Sequence, residues 1–395
     1  MGDRFPSLAH LIAPHPLEDF LANHWEQRYL HVRAQDGVRR DGMLDLAAID
    51  AMLTGRLNRH PGITVVNAKS PVEAADYAGE SDDIDPIRLA KLFGGGATII
   101  VNNLDQLAPD VRGLLAKLEC ELGIHVQANL YMTPGGGAQG FAAHYDSHDV
   151  ILVQCVGAKH WRLYDSPSGL PMRGERFDAK ATKAGAQTAE LLLQPGDVLY
   201  IPRGLMHDAV AVGDQPSIHV TVGFHAFRWS EVLLEALAAV AIDDPSLRAG
   251  VPLGTFGARG TTDDVAATLR AKALAAAAAM RWEAVAPRMR SQFEAEHKEE
   301  LRGLVADAVA TLGPDSRFVR RAGARTAVDV GDTRLTLTVN GRSTEWPAAV
   351  APMLRAALEA DGVFDMTALG DELDDAGKVT MLRRLLAEGA LTLAR

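Results

Sequence analysis

Three residues of this chain have the types and spacing to hold a redox-active metal. His144 and Asp146 lie in GFAAHYDSHDVILVQCVG (residues 140–157), and His207 lies in LQPGDVLYIPRGLMHDAV (residues 193–210). On a β-strand, side chains two apart share a face, so the His-x-Asp pair can meet one ion from a single strand. The third ligand must come from a distant strand. Pro195-Gly196-Asp197 reads as a tight turn, VLYIP as a strand, Pro202 and Gly204 as a second turn, and His207 follows 61 residues after Asp146. Two histidines and one carboxylate on one face leave three coordination positions open, which suits non-haem Fe(II) activating dioxygen. A lone His-x-Asp is common and is usually a hydrogen-bonded pair; the specificity comes from pairing the two segments. With only Cys120 and Cys155, the chain offers neither a disulfide framework nor a cysteine cage, so histidine and carboxylate must hold any metal.

His148 falls on the same strand face, about 13 Å from His144 at the rise of an extended strand, which is too far to join the same ion comfortably. It is a candidate for the substrate pocket, and a histidine supporting Asp146 by a hydrogen bond is an equal reading. Gln139, near the expected barrel mouth, is a second substrate candidate. The GGG runs at 94–96 and 135–137 lack the following residues of a phosphate-binding loop and read as turns. The five tryptophans are scattered, with packing as their default role.

The elements that must position these residues change along the chain. Residues 1 to about 125 mix amphipathic helices with β-branched runs. From about 126 to 225, short β-rich runs such as VQANLYMTP, HDVILVQCVG, HWRLYD, VLYIP and SIHVTVGF alternate with Gly and Pro turns, as in a barrel or sandwich. After Phe227 the composition turns to alanine and charge with helical period. The last stretch, from about 311, pairs strands (TAVDV, TRLTLTVNG) with helices in an order resembling a winged helix-turn-helix. The division is therefore 1–227, 228–310 and 311–395, in an α+β chain.

Hydrophobic residues at 47% and charged residues at 23% are globular values. No stretch approaches a membrane span and the N-terminus has no signal-peptide pattern, so a cytoplasmic location is expected. The net charge of -11 argues against a broad phosphate-binding surface, and residues 311–395 hold 11 Lys and Arg against 12 Asp and Glu. Specific DNA binding is not expected there, whereas a basic protein partner suits the acidic surface. The apolar stripes of the alanine-rich helices predict a homodimer.

The run NLYMTPGGGAQGFAAHYDSHDVILVQCVGAKHWRLYD, with PGDVLYIPRGLMH and IHVTVGF after it, resembles the JmjC-containing ribosomal oxygenase branch of the cupin superfamily. The resemblance implies a JmjC-type double-stranded β-helix barrel, a helical dimerisation region and a C-terminal winged-helix domain. It also implies Fe(II) held by His144, Asp146 and His207, with 2-oxoglutarate and O2 as cosubstrates, and hydroxylation of arginine or histidine side chains of ribosomal proteins. Lys159, 15 residues after His144, matches the family's basic residue for the distal carboxylate of 2-oxoglutarate. A cation in a narrow barrel is physically suited to that task. Asn129, Tyr131 and Thr221 match the remaining polar positions around the cosubstrate. Two departures are an extra residue in the GGGA loop and SHD at 147–149. A small-molecule or modified-peptide substrate, and a cupin metalloenzyme without 2-oxoglutarate, are the alternatives.

Overall fold

A computed structural model describes residues 7–34, 46–54, 59–166, 169–257, 263–297 and 299–394. Five helices belong to its N-terminal part: α1 (Leu8–Ile12), α2 (Leu17–Asn23), α3 (Leu46–Leu53), α4 (Pro86–Gly94) and α5 (Pro109–Leu122). Ten strands follow or interleave with them: β1 (Leu30–Val32), β2 (Ile63–Val66), β3 (Thr98–Val101), β4 (His125–Thr133), β5 (Asp149–Val156), β6 (Ala158–Tyr164), β7 (Gln187–Leu193), β8 (Val198–Ile201), β9 (Met206–Val212) and β10 (Ser217–His225). They form a seven-stranded sheet in the order β1-β8-β5-β10-β4-β3-β2 and a three-stranded sheet in the order β7-β6-β9. All pairings are antiparallel, and the two sheets make a double-stranded β-helix of the cupin type.

The alternation in β4 and β10 decides which face becomes the site. Val126, Ala128, Leu130 and Met132 of β4, with Ile218, Val220, Val222 and Phe224 of β10, join one apolar core with Leu114, Leu115 and Leu118 of α5 and Phe20 of α2. A period of two sends their neighbours to the opposite face. There the register pairs Ser217 with Thr133, His219 with Tyr131, Thr221 with Asn129, Gly223 with Gln127 and His225 with His125. Helices thus cover the apolar face, and the barrel interior receives a polar ladder. Its other part is apolar, built from Val150, Leu152, Trp161, Leu163, Leu193, Leu199 and Ile201.

Residues Ala226–His297 form a separate compact unit. It contains α6 (Trp229–Asp243), α7 (Pro245–Arg248), α8 (Asp263–Ala279) and α9 (Trp282–Glu296). Its small core is Ala236, Val285 and Met289, supported by Phe227, Val232 and Met280. Trp229 and Trp282 are 78% and 63% exposed in this unit.

The remaining helices, α10 (Leu304–Ala308), α11 (Ala351–Glu359) and α12 (Asp375–Ala387), accompany β11 (Phe318–Arg320), β12 (Thr326–Val330), β13 (Arg334–Val339), β14 (Arg342–Pro347) and β15 (Leu391–Leu393). Strands β12-β13-β14 form one sheet, and β11 pairs with β15. Their core centres on Phe318, Leu337, Leu354, Leu382 and Leu386. This region and the barrel form one compact unit, with Arg302 bonded to Asp110 of α5 at 2.9 Å.

Candidate functional site

His144 lies between β4 and β5, in a bridge directly opposite His207 of β9. Further along, Ala211 donates its N–H to the Ala138 carbonyl at 3.0 Å, and Gly136 donates to Gly213 at 2.8 Å. The segment therefore runs beside β9 as an irregular fourth member of the smaller sheet. This corrects the expected placement of His144, Asp146 and His148 on one regular strand, which begins only at Asp149. The glycine-rich run before it passes very close to the backbone at Gly213 and Asp214, where a Cβ on Gly135 would lie 2.6 Å away. After it, the Asp146 carbonyl accepts a bond from the Gly204 N–H at 2.9 Å instead of joining a ladder.

The three candidate side chains still converge despite this irregularity. The rings of His144 and His207 are 4.6 Å apart at 53°. Each Nδ1 sits 2.9 Å from a backbone carbonyl two residues earlier, that of Ala142 and that of Leu205. A carbonyl only accepts, so both Nδ1 atoms donate, and in the neutral rings each Nε2 lone pair is free. The Nε2 of His207 lies 3.8 Å from Asp146 Oδ2, and one donor atom from each of His144, Asp146 and His207 falls within 4.8 Å of the others. Burial, helped by the neighbouring His144, pushes the His207 imidazole down to about 4. Burial raises the Asp146 carboxyl, but His207, His144 and His148 outweigh it and hold it below the usual range. Two neutral imidazoles and one carboxylate with open positions between them fit a borderline divalent cation such as Fe(II).

A clamp that the sequence does not reveal ties together the segments of both candidate donors. Arg203 Nη1 donates to Asp149 Oδ2 at 3.1 Å and also pairs with Glu26. Tyr200 donates its hydroxyl to Asp149 Oδ1 at 2.7 Å. Asp149 stands three residues after Asp146, and Arg203 four before His207. Beside His207, Asp208 accepts hydrogen bonds from Nε and Nη2 of Arg162, at 2.7 and 2.8 Å. Nothing in a lone HD or RG dipeptide signals these roles, because each partner is more than 40 residues away.

Lys159 of β6 is buried, and its Nζ donates to Thr133 Oγ1 at 3.1 Å. Among the described residues no carboxylate pairs with it, and burial pushes its ammonium down to about 7. Around it, His219 Nδ1, Trp161 Nε1 and Gln154 Oε1 are buried without hydrogen-bond partners. An uncompensated buried cation beside unpaired ring nitrogens that can donate is costly, and it fits a site for an anionic ligand with several acceptors; the Gln154 oxygen, itself an acceptor, adds nothing to that fit. Thr133, Gln154, Trp161 and His219 were not among the sequence candidates. Trp161 offers the plainest signal in hindsight, since its spacing of two places it on the face of Lys159.

Tyr131 stacks on His219 at 4.9 Å with rings 2° from parallel. Burial, and next the charge of Asp146, raise its hydroxyl above the ordinary phenol range. Asn129 Oδ1 accepts the Asn103 N–H at 3.0 Å, and buried Thr221 stands opposite Asn129. His148 packs on β10: its ring lies over Gly223, where a Cβ would be 2.7 Å from its Cδ2, and stacks on His225 at 4.8 Å. Gln139 Nε2 donates to the Phe141 carbonyl at 2.8 Å and reaches Asp208 Oδ2 at 3.5 Å. Phe141 and Phe177 flank the His144 ring at 5.2 and 6.4 Å.

A JmjC domain model matches residues 105–232. Over 253 residues the chain is 32% identical to the bifunctional lysine-specific demethylase and histidyl-hydroxylase NO66 of Aedes aegypti, covering 62% of this chain and 39% of that protein. Over 250 residues it is 32% identical to ribosomal oxygenase 2 of Mus musculus, covering 61% and 53%. The chain thus spans about half the length, or less, of these curated relatives. An X-ray structure of E. coli ycfD superposes with a TM-score of 0.53 at 18% identity, covering 95% of this chain and 98% of that one, a likeness of fold.

Proposed function

We propose that this chain, which belongs to the JmjC-domain family that includes the ribosomal oxygenases, is an Fe(II)- and 2-oxoglutarate-dependent oxygenase that hydroxylates a protein side chain. The substrate class is an arginine or histidine of a ribosomal protein. One observation carries the reading: a triad of potential metal donors shares the barrel with a buried lysine that has no carboxylate partner among the described residues. His144, Asp146 and His207 would hold the metal. Fe(II) with 2-oxoglutarate and dioxygen supplies the oxidising power to put one oxygen atom into a C–H bond of the substrate and the other into succinate, with loss of CO2.

The chain's own residues bind and orient. Lys159 and Thr133 hold the far carboxylate of 2-oxoglutarate, and Trp161 and His219 close the pocket around it. The Tyr131 hydroxyl, kept protonated by its surroundings, remains a hydrogen-bond donor beside the metal. Phe141 and Phe177 shield the His144 side from water. His148 and Gln139 flank the substrate side chain.

The separate helical unit is proposed as a homodimer interface. Leu234, Ile242, Leu269, Leu274 and Trp282 are each more than half exposed there, an apolar surface that a second copy would cover. The β12-β13-β14 sheet with α11 and α12 is proposed as a winged helix without specific DNA affinity, since its charge is nearly balanced. No helix among the described residues is long and apolar enough to cross a membrane, and a cytoplasmic enzyme is the corresponding proposal.

The test supplies iron-loaded protein with ribosomal-protein peptides and with free amino acids, following succinate and product mass. Succinate release with a gain of one oxygen on a peptide is expected. Hydroxylation of free amino acids alone would remove the protein substrate, and turnover independent of 2-oxoglutarate would remove the oxygenase reading.

A further inference from the structure

We propose that His15, Asp19 and His24 form a second divalent-metal site of the zinc class, at the α1–α2 end of the chain. One donor atom from each of the three falls within 4.8 Å of the others. Two imidazoles and a carboxylate are a donor set for zinc and similar borderline cations.

The residues around the three donors orient them. His24 Nδ1 lies 3.0 Å from the Tyr29 carbonyl and must donate to it, which in the neutral ring leaves the Nε2 lone pair on the side of Asp19. Asn23 Nδ2 donates to Asp19 Oδ1 at 2.7 Å, so Oδ2 is the oxygen turned to the histidines. That oxygen lies 2.7 Å from His15 Nε2 and 3.9 Å from His24 Nε2. The two rings meet edge to face, with centroids 5.0 Å apart. His24 and Asp19 thus each carry a hydrogen bond on the atom away from the site, as metal ligands ordinarily do.

A histidine–aspartate pair alone does not account for the cluster. It brings buried His15 Nε2 to 2.7 Å from Asp19 Oδ2, but leaves His24 Nε2 3.9 Å from the same oxygen, beyond hydrogen-bond reach. A cation accepting both ring lone pairs and the carboxylate would engage all three groups. The scaffold is firm: the backbone N–H of His15 donates to Ile12 and that of His24 to Phe20, both at 2.9 Å. Phe20 packs edge-on against Tyr200 at 4.9 Å, and Trp25 stacks on Tyr200 at 5.9 Å. Asp19 remains 42% exposed, which gives an ion a path from solvent and leaves a coordination position for water. A metal here would clip α2 to the carbonyl just before β1, the edge strand of the large sheet.

The site is independent of the His144 triad, and the test separates the two. The full chain is loaded with excess Zn(II), dialysed and assayed for bound metal, as the parent, as His144→Ala/His207→Ala, and with His15→Gln or Asp19→Asn in each background. Two equivalents are expected in the parent, one in the triad variant, one in either α2-site variant alone, and none when both sites are changed. Co(II) bound to the triad variant should show visible bands that His15→Gln removes. His15→Gln and Asp19→Asn preserve size, and circular dichroism verifies the fold. A triad variant that holds no Zn(II) overturns the proposal, as does undiminished stoichiometry in both folded α2-site variants.

Discussion

His144 and His207 exchange both of their backbone hydrogen bonds, His144 N–H to the His207 carbonyl at 3.0 Å and the reverse at 2.8 Å. Two residues 63 positions apart are thereby fixed directly across from each other before any metal binds. Their rings need only the neutral tautomer, set by the Ala142 and Leu205 carbonyls, to present free Nε2 atoms.

Because that bridge is made by backbone, it should outlast the side chains. His207→Ala is expected to keep the far-UV spectrum of the parent while losing more than 100-fold in Fe(II) affinity and essentially all turnover. Isothermal titration with metal under anaerobic conditions measures the first loss and succinate release the second. Full activity with normal iron content would remove His207 from the ligand set.

Lys159→Met should move stability and cosubstrate binding in opposite directions. Losing a partly desolvated charge pair costs about 2–5 kcal/mol, so the apparent KM for 2-oxoglutarate should rise more than tenfold. In the ligand-free protein the same change removes an uncompensated buried cation, and Tm should rise by a few degrees. Calorimetry with and without 2-oxoglutarate checks both signs. A lower Tm combined with an unchanged KM would contradict the assignment.

The pH dependence follows from the depressed ammonium. Lys159 titrates near 7 in the fold but near 10.5 when unfolded, so the unfolded chain binds more protons between those values. The Lys159 contribution to stability therefore falls as pH drops from 10.5 to about 7 and levels off below, a slope absent from Lys159→Met. The ligand needs the charged form, so 2-oxoglutarate affinity should weaken above pH 7, by up to roughly tenfold per pH unit. Titrations at pH 6.5, 7.5 and 8.5 test this, and affinity that is flat with pH would refute it.

Gly223→Ala probes His148 without touching the metal. Its backbone accepts a side chain, but the new Cβ would lie 2.7–2.8 Å from the His148 ring and push it aside. The expected result is a several-fold higher KM for a peptide substrate, with Fe(II) affinity and substrate-free 2-oxoglutarate turnover unchanged. If peptide KM does not move, His148 has no part in substrate binding.

Leu234→Glu with Leu274→Glu places charge on the exposed apolar faces of α6 and α8. Light scattering should change from a dimer for the parent to a monomer for the variant, with iron content unaffected. A monomeric parent at micromolar concentration would dispose of the dimer proposal.

The residue types of the candidate site were legible because cupin chemistry needs few of them in fixed order: His-x-Asp, then a Pro-Gly-Asp turn, a short strand and a histidine. The polar alternation of SIHVTVGFH and HVQANLYMT was equally local, since a period of two is a property of the strand itself. What the sequence could not carry is which segments lie side by side. The His144–His207 bridge, the Asp149–Arg203 clamp and the seat of Lys159 on Thr133 each join residues 26 to 63 positions apart, and no local spacing encodes such pairings. The regular strand drawn through His148 failed for the same reason. The glycine-rich approach and the bond from Gly204 to Asp146 are made across the barrel, and they bend the chain where local alternation alone would keep it straight. Side-chain type fixed the chemistry available; tertiary pairing decided which atoms face one another, which are buried, and so which carry a shifted charge.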